Sequence, residues 1–201
     1  MKNIFIIIAF ILSSSLSAQI HIEANTSVSG QKFIIDIDDT ALTYFLTLKI
    51  RDSISTSNEY EDEMSRYREK YSSLKDQSVK SDSVKMLLEE IKIFTEKNSH
   101  YSTIKTEISK TEYPFFDTLI NLFKTESIDF FEKNEQNKDR IVLDGTGVKI
   151  TVNNKGKIKN IWAHSPQKDS HPEISSLLTS TLEILRVEKL LSVDKRITFG
   201  Y

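Results

Sequence analysis

The sequence predicts an α+β fold. An N-terminal hairpin and a C-terminal three-strand meander supply an antiparallel sheet, a helical insertion separates them, and a C-terminal helix closes the chain. Three observations carry this expectation. Apolar residues alternate with period two through residues 33–50, take up helical spacing through 60–94 and 116–123, and return to short strand-like runs after residue 140. Strands grouped toward both ends, with helices between, do not match the alternation of a doubly wound parallel sheet.

The first element is a leader. Lys2 is a short positive region, Ile4 to Leu12 (IFIIIAFIL) is a nine-residue apolar core, and Ser13 to Ala18 is a small-residue exit. That order describes a secretory signal peptide, and its core falls well short of the roughly 20 residues a membrane-spanning helix needs. The ending "SLSAQ" resembles bacterial signal peptides that release a chain starting with Gln. Cleavage between Ala18 and Gln19 is favoured, while cleavage after Ser17 satisfies the small-x-small preference through Ser15. Residues 1–18 are thus expected to be a signal peptide and 19–201 a single exported α+β domain, placed in the periplasm or the medium.

Residues 20–28 (IHIEANTSV) suit a short leading strand. Phe33, Ile35 and Ile37 alternate with Ile34, Asp36 and Asp38, and Leu42, Tyr44, Leu46, Leu48 and Ile50 alternate with polar neighbours. Both runs read as strands, and Asp38-Asp39-Thr40-Ala41 supplies the turn between them. From Ser57 the spacing becomes helical. Tyr60, Met64, Tyr67, Tyr71 and Leu74 mark one helix, with Asp62 and Arg66 as an i,i+4 pair; Val84, Leu87, Leu88, Ile91 and Phe94 mark a second. Residues 100–112 show weak, mostly polar alternation and stay unassigned.

Tyr113-Pro114 opens a third helix with the stripe Phe116, Leu119, Ile120 and Phe123, and Phe130 and Phe131 continue it or begin a further turn. Arg140–Leu143, Val148–Val152 and Lys159–His164 are the predicted meander, joined by "DGTG" and "NNKGK". Ser170 and Glu173 stand in capping-box spacing before Ile174, Leu177, Leu178, Leu182 and Leu185, the closing helix. The tail "RITFGY" suits an edge strand or a frayed end.

Composition narrows the function classes. The chain has no Cys, which excludes disulfides, a thiol nucleophile and a lipoprotein anchor at Cys. Its formal net charge of −2 offers no electrostatic attraction for nucleic acid or for an anionic membrane. No segment after the leader is apolar enough to span a bilayer.

One stretch carries an enzymatic signal. "FIIDIDDTAL", residues 33–42, resembles the first motif of the haloacid dehalogenase superfamily, in which an apolar strand ends in Asp-x-Asp-x-Thr. The resemblance implies a Mg²⁺-dependent acid phosphatase with Asp36 as nucleophile, Asp38 as general acid/base and Thr40 in support. It covers about ten residues, and the superfamily's later motifs lack a match. Ser165 is followed by no paired acids, Asp144 precedes it, and a strand rather than a helix follows the loop at once. The turn reading is therefore preferred over the catalytic one.

A second cluster, "AHSPQKDSHP" (163–172), gathers His164, Ser165, Asp169, Ser170 and His171. It lacks a nucleophile elbow, its His spacing is not diagnostic of a metal, and it suits a strand-to-helix connection. Gly145-x-Gly147 lacks the rest of any phosphate-binding fingerprint, and Trp162 is expected in the core. No catalytic, cofactor-binding or metal residue is assigned. The expected function is a non-enzymatic exported binding protein with a protein or cell-envelope partner, inhibitor- or immunity-like by analogy alone. The phosphatase using Asp36 and Asp38 is the runner-up.

Overall fold

A computed structural model of the chain describes residues 19–26, 30–76, 81–142 and 145–190. The expected leader and the tail "RITFGY" lie outside these residues. The elements in chain order are β1 (Gln19–Thr26), β2 (Lys32–Asp39), β3 (Thr43–Ile54), α1 (Asn58–Asp76), α2 (Ser81–Lys97), β4 (Ser99–Ser109), α3 (Pro114–Thr125), α4 (Ile128–Glu132), α5 (Asn134–Asn137), β5 (Thr146–Asn154), β6 (Lys157–His164) and α6 (Pro172–Val187). The class is α+β: six strands form one sheet in the order β4-β3-β2-β1-β5-β6. The β1–β2, β1–β5, β2–β3 and β5–β6 pairings are antiparallel. Two compact units result, one built from residues 19–50 and 103–190, the other from Arg51–Ser102.

In the first unit β1, β2, β3, β5 and β6 each have one apolar face. Ile20, Ile22 and Ala24 of β1, Phe33, Ile35 and Ile37 of β2, and Tyr44, Leu46, Leu48 and Ile50 of β3 are buried, as are Val148, Ile150 and Val152 of β5 and Ile161 and Ala163 of β6. They pack on Phe116, Ile120 and Phe123 of α3, Phe131 of α4, and Ile174, Leu177, Leu178, Leu182 and Leu185 of α6. Residues two apart on a strand share a face, so the alternation read from the sequence becomes a helix-covered side and an opposite side. Phe123 stacks on Phe131 with centroids 4.2 Å apart, and Tyr44 meets Phe116 edge-on at 5.6 Å. Burial of this apolar core, rings and aliphatic side chains together, supplies most of the driving force in a chain with no disulfide.

The second unit holds the two helices of the expected insertion, α1 and α2, between the end of β3 and the start of β4. Ser57 Oγ accepts from the Tyr60 N–H at 3.2 Å, capping α1. Tyr60 stacks on Phe94 at 5.3 Å, Tyr67 leans on the same ring at 5.6 Å, and Lys70 pairs with Glu90 at 3.3 Å. The pairing expected for Arg66 is corrected: its partner is Glu63, at 2.9 Å and i,i+3, not Asp62.

Four further expectations change. Most of residues 100–112, whose polar alternation predicts no element, belongs to β4 (Ser99–Ser109), a terminal strand of the sheet, where both faces tolerate polar residues. The C-terminal meander has two strands here, because residues 140–142 are in no strand and Leu143 lies outside the described residues. Arg140 instead donates to the carbonyls of His164 at 2.7 Å and Ser165 at 2.6 Å, which holds this segment across the end of β6. Ser170 does not cap α6. The N-cap position is His171, Pro172 occupies the first turn, Ser170 Oγ accepts from the Gln167 N–H at 3.1 Å, and Glu173 pairs with Lys133 at 3.2 Å. Trp162 is not in the core; it is 57 % exposed, since Ile161 and Ala163 take the buried side of β6.

Candidate functional site

The side of the sheet away from α3, α4 and α6 is an open platform. Register places its residues in rows across the strands. One row runs Thr47, Asp36, His21, Thr151, Asn160. The next runs Lys49, Ile34, Glu23, Lys149, Trp162. A third runs Phe45, Asp38, Gln19, Asn153, Ile158.

His21 sits in the middle of this platform. Its Nδ1 lies 2.6 Å from Asp36 Oδ1 and its Nε2 3.4 Å from Glu23 Oε1. Lys49 approaches the other oxygen of Asp36 at 3.7 Å, and Lys32 approaches Glu23 at 3.7 Å. Asp38 accepts from Gln19 Nε2 at 2.8 Å. The result is a lattice of alternating charge, partly exposed at His21, Asp36 and Lys49 and buried at Lys32, with large apolar side chains at its margins: Phe45 at 43 %, Ile158 at 67 % and Trp162 at 57 % exposure. The indole of Trp162 lies over Gly147, where an added Cβ would stand 3.9 Å from the ring. A glycine across from an exposed aromatic lets the ring lie flat on the sheet.

The residues of "FIIDIDDTAL" separate. Asp36 and Asp38 are on the open face of β2, each tied to a cross-strand neighbour. Asp39 turns to the helix side, where Lys110 approaches it at 2.5 Å and Lys124 also pairs with it. Thr40 holds the turn: its hydroxyl donates to the Thr43 carbonyl at 2.9 Å and accepts from the Thr43 N–H at 3.1 Å. Lys110 Nζ bonds the Thr40 carbonyl at 2.5 Å, fastening the tip. So the stretch is the first strand and turn of an antiparallel hairpin, with Asp38 paired to Phe45 and Asp39 to Tyr44. Beside this turn, burial first and then the hydrogen bond to Asp117 push the Tyr44 hydroxyl well above the ordinary tyrosine range.

The "AHSPQKDSHP" cluster does not assemble one site. His164 lies on the open face of β6. Ser165 is 2 % exposed, has φ +46°, and its hydroxyl accepts from the Thr146 N–H at 3.1 Å. A Cβ at Gly145 would fall 1.7 Å from that hydroxyl oxygen, which explains the first glycine of Gly145-x-Gly147. His171 is buried, with Nδ1 3.1 Å from Ser170 Oγ. Desolvation, and next the charge of Arg140, lower its pKa from the ordinary 6.5. Among the described residues no group of three or more His, Asp or Glu is arranged to hold a metal ion.

Sequence reasoning missed His21 and Lys49 as neighbours of Asp36, and Glu23 as a neighbour of His21. The alternation in "IHIE" put His21 and Glu23 on one face, but the meeting of His21 with Asp36 depends on register between separate strands. The fold and platform thus define an α+β protein with one helix-covered and one open sheet face. No protein-family model, curated protein or solved structure matches the chain. No helix among the described residues is long and apolar enough to cross a membrane.

Proposed function

We propose that the chain is an exported, non-enzymatic binding protein whose open sheet face receives a protein partner in the periplasm or the medium. The observation that supports this reading is the platform itself: paired charges at the centre, with Phe45 and Trp162 exposed at its margins. Aromatic side chains beside satisfied polar groups are enriched in recognition surfaces. Inhibitor- or immunity-like action is the specific form proposed, and the partner is a protein of the envelope or its surroundings.

A photo-crosslinking residue placed at Phe45 or Lys49 in the exporting cell should capture the same partner. One placed at exposed Thr118, on the helix side, should not. Equal capture from both sides would sink the reading. N-terminal sequencing of the exported protein should start at Gln19 or Ala18; an intact Met1 there would exclude the proposed cleavage.

The second reading, a Mg²⁺-dependent phosphatase, rests on Asp36 and Asp38 sharing one face of β2. Turnover of a phosphate monoester that requires Mg²⁺ and is abolished by Asp36→Asn would replace the binding reading with this one.

A further inference from the structure

The outer edge of β6, flanked by α4 and in part occupied by Glu132 and Arg140, shows a self-complementary pattern. The Ser165 N–H bonds the Thr146 carbonyl at 2.8 Å, which fixes the phase of the β5–β6 ladder. With that phase, and with Lys157 opposite Asn154, the residues turning their backbone groups toward β5 are 157, 159, 161 and 163. Ile158, Asn160, Trp162 and His164 therefore aim N–H and C=O outward, and β6 ends the strand order. Two outward groups are occupied by the protein itself: the Trp162 N–H by Glu132 Oε1 at 2.8 Å, and the His164 carbonyl by Arg140.

We propose that β6 pairs antiparallel with β6 of a second copy of this chain, about a two-fold axis at Asn160, joining two sheets edge to edge. The proposal rests on the backbone pattern of β6 and shares only Trp162 with the binding reading above. Its register follows from the outward residues. Asn160 opposes its own copy and exchanges two backbone hydrogen bonds with it, Ile158 opposes Trp162 of the other copy, and Trp162 opposes Ile158. An isologous contact requires such self-complementarity. Both exposed apolar side chains of β6 then meet each other in cross-strand pairs of aromatic and β-branched type. The same register sets Lys157 opposite position 163 of the other copy. There it adjoins Glu132, which leaves the Trp162 N–H when the partner's carbonyl takes its place. A cation thus arrives where a carboxylate is released.

The chain's lack of Cys makes the test direct. Opposed residues exchanging both hydrogen bonds stand roughly 5.5 Å apart at Cα, within disulfide reach. Under mild oxidation Asn160→Cys should form a covalent dimer, while Thr118→Cys, exposed on α3, should not. Sedimentation velocity of the unmodified protein should show a concentration-dependent species of twice the monomer mass. Asn160→Pro removes the outward N–H together with the side-chain acceptor of Thr151, 2.9 Å away, and Ile158→Lys puts a charge in the pair with Trp162; each should give a folded monomer. A species that stays monomeric at all concentrations, a dimer that survives both substitutions, or crosslinking of Asn160→Cys no faster than of Thr118→Cys would each overturn the proposal. If Asn160→Pro does not fold by circular dichroism, Ile158→Lys and the cysteine pair decide.

Discussion

His21 and Asp36 face each other across the β1–β2 register, with imidazole Nδ1 2.6 Å from carboxylate Oδ1. Glu23 lies on the other ring nitrogen at 3.4 Å, so two carboxylates bracket one ring. The pair is partly exposed, which limits its strength. A double-mutant cycle with His21→Ala and Asp36→Ala should give a favourable coupling of about 0.5–1 kcal/mol at low salt, falling as salt rises. Additive single and double effects in denaturant melts would show that the contact is not made in solution.

The acids of "DIDD" should behave differently. Asp39 balances Lys110 and Lys124 on the helix side, and its own side chain is 11 % exposed. Asp39→Ala leaves two poorly hydrated ammonium groups without their counter-charge and should cost about 3 kcal/mol. Asp36→Asn, on the open face, should cost no more than about 1 kcal/mol. Urea midpoints of the two variants test the order, and an equal loss would mean that the two faces of β2 are misassigned.

His171 predicts a pH limb. Burial disfavours its charged form, and Arg140 and Lys133 add repulsion, while the Glu132 carbonyl and Glu173 oppose the shift. Because its folded pKa is lowered, the unfolded chain binds the proton more readily. Stability is therefore complete above 6.5 and declines as pH falls below it. Replacing His171 by Gln, which cannot titrate, should flatten this limb in urea melts run from neutral pH to about pH 5. An unchanged acid limb in the variant would remove His171 as its source.

In α6, Leu178 is buried against the sheet, and Leu178→Ala should cost about 2–5 kcal/mol. Ser170→Ala removes one acceptor for the Gln167 N–H in the preceding connection and should cost roughly 1 kcal/mol. A reversed ranking would contradict the helix register.

The parts legible in the sequence were those set by local period. Phe33, Ile35 and Ile37 marked the buried side of β2, and Phe116, Leu119, Ile120 and Phe123 marked that of α3, because a single face meets the core in each. β4 was opaque for the opposite reason: a sheet-edge strand with Ile104 only partly buried leaves little apolar signal. Ile141 and Val142 looked like a strand, yet Ile141 is 86 % exposed, and the segment is held by the long-range bonds of Arg140. Trp162 was misjudged by residue type, although "NIWAH" alternates and its neighbours Ile161 and Ala163 claim the interior. The charge lattice was out of reach because His21, Asp36 and Lys49 come from three strands. Their meeting is a property of register, and register is read from pairing.

The placement of Trp162 above Gly147 also equips the molecule with its own optical reporter. It is the sole indole in the chain, so excitation at the red edge of the absorption band, where tyrosine is silent, reads one position. Its ring faces water on the platform and stands beside the outer edge of β6. Emission should be that of a hydrated indole, moving to shorter wavelength when something covers the ring. An unlabelled titration can therefore follow occupancy of this face, and dilution can follow separation of two copies, from the same photons.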